Sequence, residues 1–117
     1  MKILVIEDSV RLADTIAEAL QNENYVVDTA NDGQLGYEHA STGIYDMVIL
    51  DLMLPKMNGY EVLSALRRDG DNVPVLILSA KTEIDDKIQG FTTGADDYMT
   101  KPFEIRELLM RIQAISR

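Results

Sequence analysis

Short apolar runs alternate along the chain with segments in which apolar residues recur at helical spacing. The third run, Met47-Val48-Ile49-Leu50, contains no polar residue, which is typical of a strand covered on both faces of a parallel sheet. Together the runs predict five β-strands, at Lys2–Ile6, Tyr25–Ala30, Met47–Asp51, Val75–Ser79 and Tyr98–Lys101.

The segments that follow the runs predict five helices. The first follows Ser9, a residue type that serves as an N-cap, and places Leu12, Ile16 and Leu20 on one face. The last is an amphipathic helix with an apolar stripe of Ile105, Leu108, Leu109, Ile112 and Ile115. The three between them are predicted at Gly33–Ser41, Gly59–Arg68 and Ile84–Phe91.

Five successive strand–helix units predict an α/β fold. Right-handed crossovers place the helices on both faces of one parallel sheet. We therefore expect a flavodoxin-like, doubly wound, five-stranded sheet with the order 2-1-3-4-5. In that order the first and third strands are neighbours at the point where the connections change direction, and residues 1–117 form one domain.

Four of the predicted strands end in a polar group. Glu7 and Asp8 end the first run, Asp51 the third, Ser79 the fourth and Lys101 the fifth. Each of them alone has an ordinary structural explanation as a helix cap, a turn residue or a solvated charge. Because ligands bind outside the carboxyl ends of parallel strands, the combination predicts one cleft that contains all five groups.

Three carboxylates in one cleft repel one another unless a cation lies among them. Oxygen ligands suit Mg2+, which keeps several waters and needs few protein carboxylates. A metal beside Asp51 would offset the charge of an incoming phosphoryl group, so that the carboxylate can attack phosphorus. Lys101 would supply a positive charge to the phosphoryl oxygens and Ser79 a hydrogen bond.

Composition narrows the class of protein. The net charge of −9 makes the chain by itself a poor ligand for nucleic acid. The absence of cysteine excludes disulfides and thiolate chemistry and is compatible with the cytoplasm. No run approaches the ~20 apolar residues of a membrane span, so we expect a cytoplasmic protein without a membrane partner.

These motifs resemble the signature of bacterial two-component response-regulator receiver domains, over the whole chain and in order. Gly94-Ala95-Asp96-Asp97-Tyr98 and Lys101-Pro102-Phe103-Glu104 resemble in particular the subfamily typified by OmpR and PhoB. The remaining matching segments are Glu7-Asp8, Asp51-Leu52-Met53-Leu54-Pro55, Asn58-Gly59 and Ser79-Ala80.

The resemblance implies a role for each residue of the cleft. Asp51 would be the phosphoacceptor for a sensor histidine kinase. Asp8, Asp51 and the backbone carbonyl of Met53 would bind Mg2+ directly, and Glu7 mainly through water. The protein would not be a classical enzyme, but it would catalyse its own phosphorylation and slow dephosphorylation.

The resemblance also implies a conformational switch. Ser79 and Tyr98 would reorient when the phosphoryl group arrives, with Tyr98 turning inward, and Lys101 would bind the phosphoryl group. The Lys101–Pro102 peptide bond would be cis, as in the family.

Phosphorylation would drive homodimerisation through the fourth helix, fifth strand and fifth helix. The expected intersubunit pairs are Lys87–Glu107 and Asp97–Arg111. The sequence ends at Arg117, where such receivers usually enter a linker toward a winged-helix DNA-binding domain. The resemblance thus implies a receiver separated from a longer transcription regulator, with DNA bound only through that missing domain.

Two other classes of function compete with the phosphoacceptor switch. An aspartyl-phosphate hydrolase of the haloacid-dehalogenase type needs a second aspartate two residues after the nucleophile, and Met53 occupies that position. A phosphorylation-independent interaction module would be a degenerate receiver, but every expected acid, hydroxyl and lysine is present. Both alternatives remain open at the level of the sequence, and a phosphoacceptor fits it best.

Overall fold

The computed structural model describes residues 1–81 and 83–116, and strands and helices alternate throughout them. Arg117, the last residue of the predicted domain, lies outside the described residues. In chain order the elements are β1 (Lys2–Ile6), α1 (Val10–Gln21), β2 (Val26–Ala30), α2 (Gly33–Ala40), β3 (Met47–Leu50), α3 (Gly59–Arg68), β4 (Val75–Ser79), α4 (Ile84–Thr93), β5 (Asp97–Thr100) and α5 (Ile105–Ile115).

All strand pairings in the sheet are parallel, and the strand order is β2-β1-β3-β4-β5. The predicted fold class and strand order are therefore confirmed. Ile6 pairs with Ala30 on one side and with Leu50 on the other. Because of this register, the residues that follow β1 and β3 leave the sheet side by side.

Alternate residues of the buried strands face two separate cores. Ile3 and Val5 pack on the side of α1 and α5, whereas Leu4 and Ile6 pack on the side of α2 and α3. All four are fully buried, and burying one such side chain stabilises a fold by ~1.5–3 kcal/mol. The sheet is thus held from both faces, as the unbroken apolar runs predict.

Three helices begin with a side-chain cap. Ser9 accepts a hydrogen bond from the Leu12 N–H at 3.2 Å at the start of α1. Asn58 and Glu61 form a reciprocal capping box at the start of α3, and Asp32 caps α2. Such caps satisfy backbone N–H groups that have no partner within the helix, so they fix where the helices at the carboxyl edge of the sheet begin.

The two ends of α4 are held differently. Near its last turn, the Arg67 guanidinium donates hydrogen bonds to the carbonyls of Gly94, Asp71 and Val73 at 2.8–3.1 Å. At its first turn, the N-cap Glu83 makes no side-chain capping bond to the residues that the structure describes. The end of α4 is therefore tied to α3 and the sheet by four hydrogen bonds of Arg67. Among the described residues, its first turn is held by the Tyr60 hydroxyl, which donates to the Asp86 carbonyl at 3.0 Å, and by Lys81, 3.9 Å from the Asp86 carboxylate.

Several predicted element ends move by one or two residues. β5 starts and ends one residue early, because it is in register with β4, with Leu76 opposite Asp97 and Ser79 opposite Thr100. α4 continues to Thr93 because Gly94, with φ of 122°, is the first residue to leave the helical conformation. β2 begins one residue late, and β3 and α2 each end one residue early.

Candidate functional site

Backbone hydrogen bonds place two acids at adjoining strand ends. The Glu7 N–H donates to the Ala30 carbonyl at 3.0 Å, and the Asp51 N–H donates to the Ile6 carbonyl at 3.0 Å. These bonds continue the ladder one residue beyond the strands. Both residues are buried, with Glu7 3% and Asp51 5% exposed.

Lys101 reaches both of these carboxylates. Its Nζ lies 2.6 Å from Glu7 Oε1 and 3.0 Å from Asp51 Oδ2. Glu7 also accepts the Ser9 N–H through Oε2, and Asp51 accepts the Met53 N–H through Oδ1, both at 3.1 Å. All four carboxylate oxygens of the two acids are thus hydrogen-bonded, as buried charges require.

Burial and pairing shift the pKa values of Glu7 and Lys101. Burial raises the pKa of Glu7 above its ordinary value, and the hydrogen bond from Lys101 only partly opposes this effect. Burial lowers the pKa of Lys101, but the hydrogen bonds to Glu7 and Asp51 outweigh it, so the net shift is upward. The ammonium therefore stays charged at neutral pH and offsets one of the two negative charges that Glu7 and Asp51 can carry.

Asp8 adds a third carboxylate, and its side chain is exposed. One oxygen from each of Glu7, Asp8 and Asp51 can be chosen so that all three lie within 4.8 Å of one another. A set of carboxylate oxygens, two buried and one open to water, suits a hard divalent cation that retains water ligands. The chemistry of the donors therefore fits Mg2+.

Ser79 and Tyr98 lie on the neighbouring strands β4 and β5. Ser79 is fully buried, and its Oγ accepts the Lys81 N–H at 3.3 Å. The Tyr98 hydroxyl donates to the Lys81 carbonyl at 2.8 Å, and its ring is 6% exposed. Burial raises the pKa of Tyr98 to about 12. Tyr98 is turned inward in this structure, and its reorientation on phosphorylation stays a prediction.

Gly90 explains how the ring fits. A Cβ at Gly90 would lie 2.9 Å from Ile77 Cδ1 and 3.3 Å from a ring carbon of Tyr98. Because Gly90 has no side chain, α4 leaves the space that the buried Tyr98 ring occupies.

The four residues predicted for a dimer interface lie along α4, β5 and α5. Arg111 Nη1 donates to both carboxylate oxygens of Asp97 at 2.9 Å, and Arg111 Nε lies 3.4 Å from Glu107 Oε2. Lys87 Nζ lies 6.0 Å from the centroid of the Tyr98 ring. Three of the four charges are thus already linked within one chain, and the intersubunit pairs stay predictions.

Sequence reasoning missed Asn31, whose side-chain amide donates to the Glu7 carbonyl at 3.1 Å. Asn31 directly follows β2, which lies next to β1 in the sheet, and this position could have indicated that its side chain lies near Glu7. The predicted cis Lys101–Pro102 peptide bond is present. Among residues 1–81 and 83–116, no helix has the length and apolar character needed to cross a membrane.

Comparison with known proteins identifies the family. Residues 3–113 match the family model described as the response regulator receiver domain. The chain is 47% identical over 117 residues to the transcriptional regulatory protein DltR of Streptococcus agalactiae, covering 100% of this chain and 52% of the relative. It is 48% identical to CiaR of Streptococcus pneumoniae, covering 98% of this chain and 51% of the relative. The chain thus spans about half the length of the curated relatives it matches.

Solved structures agree with this match. The receiver domain of the Francisella response regulator 1452 superposes with a TM-score of 0.94 at 36% identity, covering 98% of this chain and 95% of that one. The chemotaxis protein CheY4 of Vibrio cholerae gives a TM-score of 0.90 at 31% identity, covering 97% of both chains. The predicted family resemblance is confirmed.

Proposed function

This chain belongs to the response regulator receiver domain family, and we propose that it accepts a phosphoryl group on Asp51 from a phosphohistidine of a sensor histidine kinase. The observation that carries the proposal is the environment of Asp51. Its carboxylate is buried, is oriented by the Met53 N–H and faces the ammonium of Lys101. This arrangement provides an oxygen nucleophile and a cation for the incoming negative charge.

The chemistry is a displacement at phosphorus. A carboxylate oxygen of Asp51 forms the new O–P bond while the P–N bond to the kinase imidazole breaks, and its electron pair stays on the ring nitrogen. In the slow dephosphorylation, a water oxygen forms a new bond to phosphorus and the bond between phosphorus and the Asp51 oxygen breaks. Inorganic phosphate leaves, a proton of the water passes to solvent, and the Asp51 carboxylate is restored. The side chain of Met53 cannot take the proton of the attacking water as an aspartate at that position could, which favours a switch over a fast hydrolase.

The residues fitted to hold Mg2+ are Asp8, Asp51 and the backbone carbonyl of Met53, with Glu7 acting through water. When bound, the metal would offset negative charge on the phosphoryl oxygens. Lys101 pairs with Glu7 and Asp51 beforehand and would then pair with the new phosphoryl group. Ser79 would donate a hydrogen bond to the phosphoryl group and Tyr98 would report the change to the surface of α4.

The output we infer is homodimerisation through α4, β5 and α5, which would in turn control transcription. The support for transcription is that the relatives DltR and CiaR are named transcriptional regulatory proteins. DNA would be bound by a part of the regulator that lies outside this sequence, since the chain has a net charge of −9.

Mass spectrometry tests the phosphoacceptor. After incubation with acetyl phosphate and Mg2+, the parent protein is expected to gain the mass of one phosphoryl group, and Asp51→Asn is expected to gain none. Asp46→Asn, just before the other end of β3, is the matched control and should behave as the parent does. A gain that survives in Asp51→Asn, or a parent that never gains mass, would refute the proposal.

Sedimentation velocity with and without beryllofluoride and Mg2+ tests the dimer. The parent is expected to be monomeric alone and dimeric with the phosphoryl mimic, whereas Arg111→Glu should stay monomeric. Arg68→Glu, an exposed arginine on α3, is the control for the change of charge. A parent that stays monomeric, or an Arg111→Glu protein that dimerises normally, contradicts the assigned interface.

A further inference from the structure

The loop of residues 51–58, here named the acceptor loop, passes between the first residues of two helices. It begins with Asp51 and contains Met53, and α3 follows it. Gly59 opens α3 and Gly33 opens α2. At both glycines, the atoms nearest to the position of a Cβ belong to the backbone of the acceptor loop.

The contact at Gly33 is the closer of the two. A Cβ at this position would lie 1.6 Å from the carbonyl oxygen of Met57 and 2.5 Å from its carbonyl carbon. A backbone group cannot rotate away as a side-chain end does, so any side chain here displaces the acceptor loop or α2. Alanine is the better helix former, and the glycine at this helical position is therefore explained by the close approach.

A hydrogen bond and an ion pair hold the acceptor loop against the start of α2. The Pro55 carbonyl accepts both the Gly33 N–H at 3.2 Å and the Met57 N–H at 2.8 Å. The Lys56 ammonium lies 3.6 Å from the carboxylate of Asp32, which caps α2. Lys56 itself has a φ of 70°, in the left-handed region. The start of α2 thus fixes the middle of the acceptor loop.

On the opposite side, Gly59 fixes where the loop enters α3. A Cβ at Gly59 would lie 2.3 Å from the Asp51 carbonyl oxygen and 2.6 Å from the Leu52 Cα. The Gly59 N–H also donates to the Leu52 carbonyl at 2.9 Å. Met53 lies in the short span between these two supports, and its N–H already orients Asp51.

We propose that Gly33 is a positioning residue for the metal site, because it seats the acceptor loop so that the Met53 carbonyl faces the acid cluster. The inference rests on the proposed function, in which that carbonyl is a metal ligand. Gly33 touches no ligand itself and acts only through the backbone of residues 55–57. A group that supports a metal ligand in this way typically affects metal affinity by about 10–100-fold.

The test compares two alanine substitutions in the same helix. Gly33→Ala would push on the acceptor loop, whereas Gly36→Ala would push on the side chain of Ile6, 2.6 Å from the new Cβ. Both add one methyl group and strain the packing of α2. Gly36→Ala therefore controls for a general loss of stability.

The measurement is titration with MgCl2 by calorimetry, at a temperature where urea denaturation shows each variant to be folded. Gly33→Ala is expected to raise the Kd for Mg2+ by about tenfold. Gly36→Ala is expected to raise it less, because its new methyl group meets the side chain of Ile6, which can shift, and not the backbone of the acceptor loop. Equal effects of the two variants would overturn the inference. A parent that binds no Mg2+ would instead refute the proposed function.

Amide hydrogen exchange on the parent protein gives a second test if Gly33→Ala does not fold. Coupling between two sites is reciprocal, so saturating Mg2+ is expected to slow exchange of the Gly33 amide, which donates to the acceptor loop. The Gly36 amide donates to the Asp32 carbonyl at 3.0 Å, in the first turn of α2. Its exchange rate should change little when Mg2+ is added. Unchanged exchange at Gly33 in Mg2+ that saturates the parent would overturn the inference.

Discussion

Replacing Lys101 by methionine separates the charge of this side chain from its length. Its ammonium faces two buried carboxylates at 2.6 and 3.0 Å. With an effective dielectric constant of about 20, unit charges at these distances attract by about 6 kcal/mol each. The cost of desolvating all three ions offsets most of this attraction.

The expected net loss follows from what the substitution leaves behind. Removing one partner of a buried ion pair costs ~3–5 kcal/mol, since the other charge stays buried and unpaired. Glu7 can relieve part of that cost by taking up a proton, because burial already raises its pKa. We therefore expect Lys101→Met to lower the free energy of unfolding by about 3 kcal/mol in EDTA at neutral pH.

Magnesium should reverse much of this loss. A cation among the acids replaces the missing ammonium, so the variant is expected to bind Mg2+ more tightly than the parent. A ligand at 100 times its Kd stabilises a fold by ~2.7 kcal/mol, which would leave a deficit of about 1 kcal/mol or less relative to the metal-free parent.

Urea denaturation followed by circular dichroism, in EDTA and in MgCl2, measures these differences. Lys2→Met is the matched control, because Lys2 pairs with Asp28 at 3.8 Å at the other end of β1, and a surface pair contributes only ~0–1 kcal/mol. A deficit in Lys101→Met that is the same with and without Mg2+ would refute the reasoning. So would a metal-free deficit as small as that of the control.

Three further predictions concern side chains around α4 and β5. Burial raises the pKa of Tyr98 from 10.0 to about 12, so the folded state keeps the hydroxyl proton to a higher pH than the unfolded state does. The stability that the protonated hydroxyl contributes is therefore present below pH 10 and lost as the pH rises toward 12. In an ultraviolet titration, Tyr98→Phe should lack one tyrosine with a pKa of about 12. In urea denaturation, Arg67→Met should lower the free energy of unfolding by about 2–4 kcal/mol, because it leaves backbone carbonyls without hydrogen-bond donors. Arg68→Met, which replaces the exposed neighbouring arginine, should change it by less than about 0.5 kcal/mol. Arg111→Met loses the contacts of Nη1 with both carboxylate oxygens of Asp97. It should cost at most ~1 kcal/mol in the same assay, since the arginine side chain is 39% exposed.

The sequence was sufficient to predict the sheet order and the edge at which the polar groups gather. Both follow from properties that are local in the chain, namely apolar runs with a polar residue at their end. Glu7 and Asp51 meet because β1 and β3 are neighbours in the observed order, and that order follows from general rules for strand connections. Family membership was recoverable for the same reason, since its motifs occur at these strand ends.

The remaining details depend on contacts between residues distant in sequence. The offset of β5 comes from its register with β4, and the inward position of Tyr98 depends on the space left at Gly90. Nothing near Gly33 in sequence indicates that the Met57 carbonyl lies against it. The pair between Asp97 and Arg111 within one chain was missed because family likeness suggested partners in a second subunit.

The unequal support of α4 gives this helix the mechanics of a lever. Arg67 fixes a pivot at its last turn, and its ten residues form an arm of about 15 Å. A rotation of about 10° about that pivot would displace the first turn by about 2.6 Å over such an arm and leave the last turn almost in place. Displacement grows with distance from the pivot, so the exposed Ile84 travels farthest and Phe91 least. The first turn is held at the carboxyl edge of the sheet by the Tyr60 hydroxyl and Lys81, which both contact Asp86. A small change in these contacts is therefore amplified on the apolar surface of this helix.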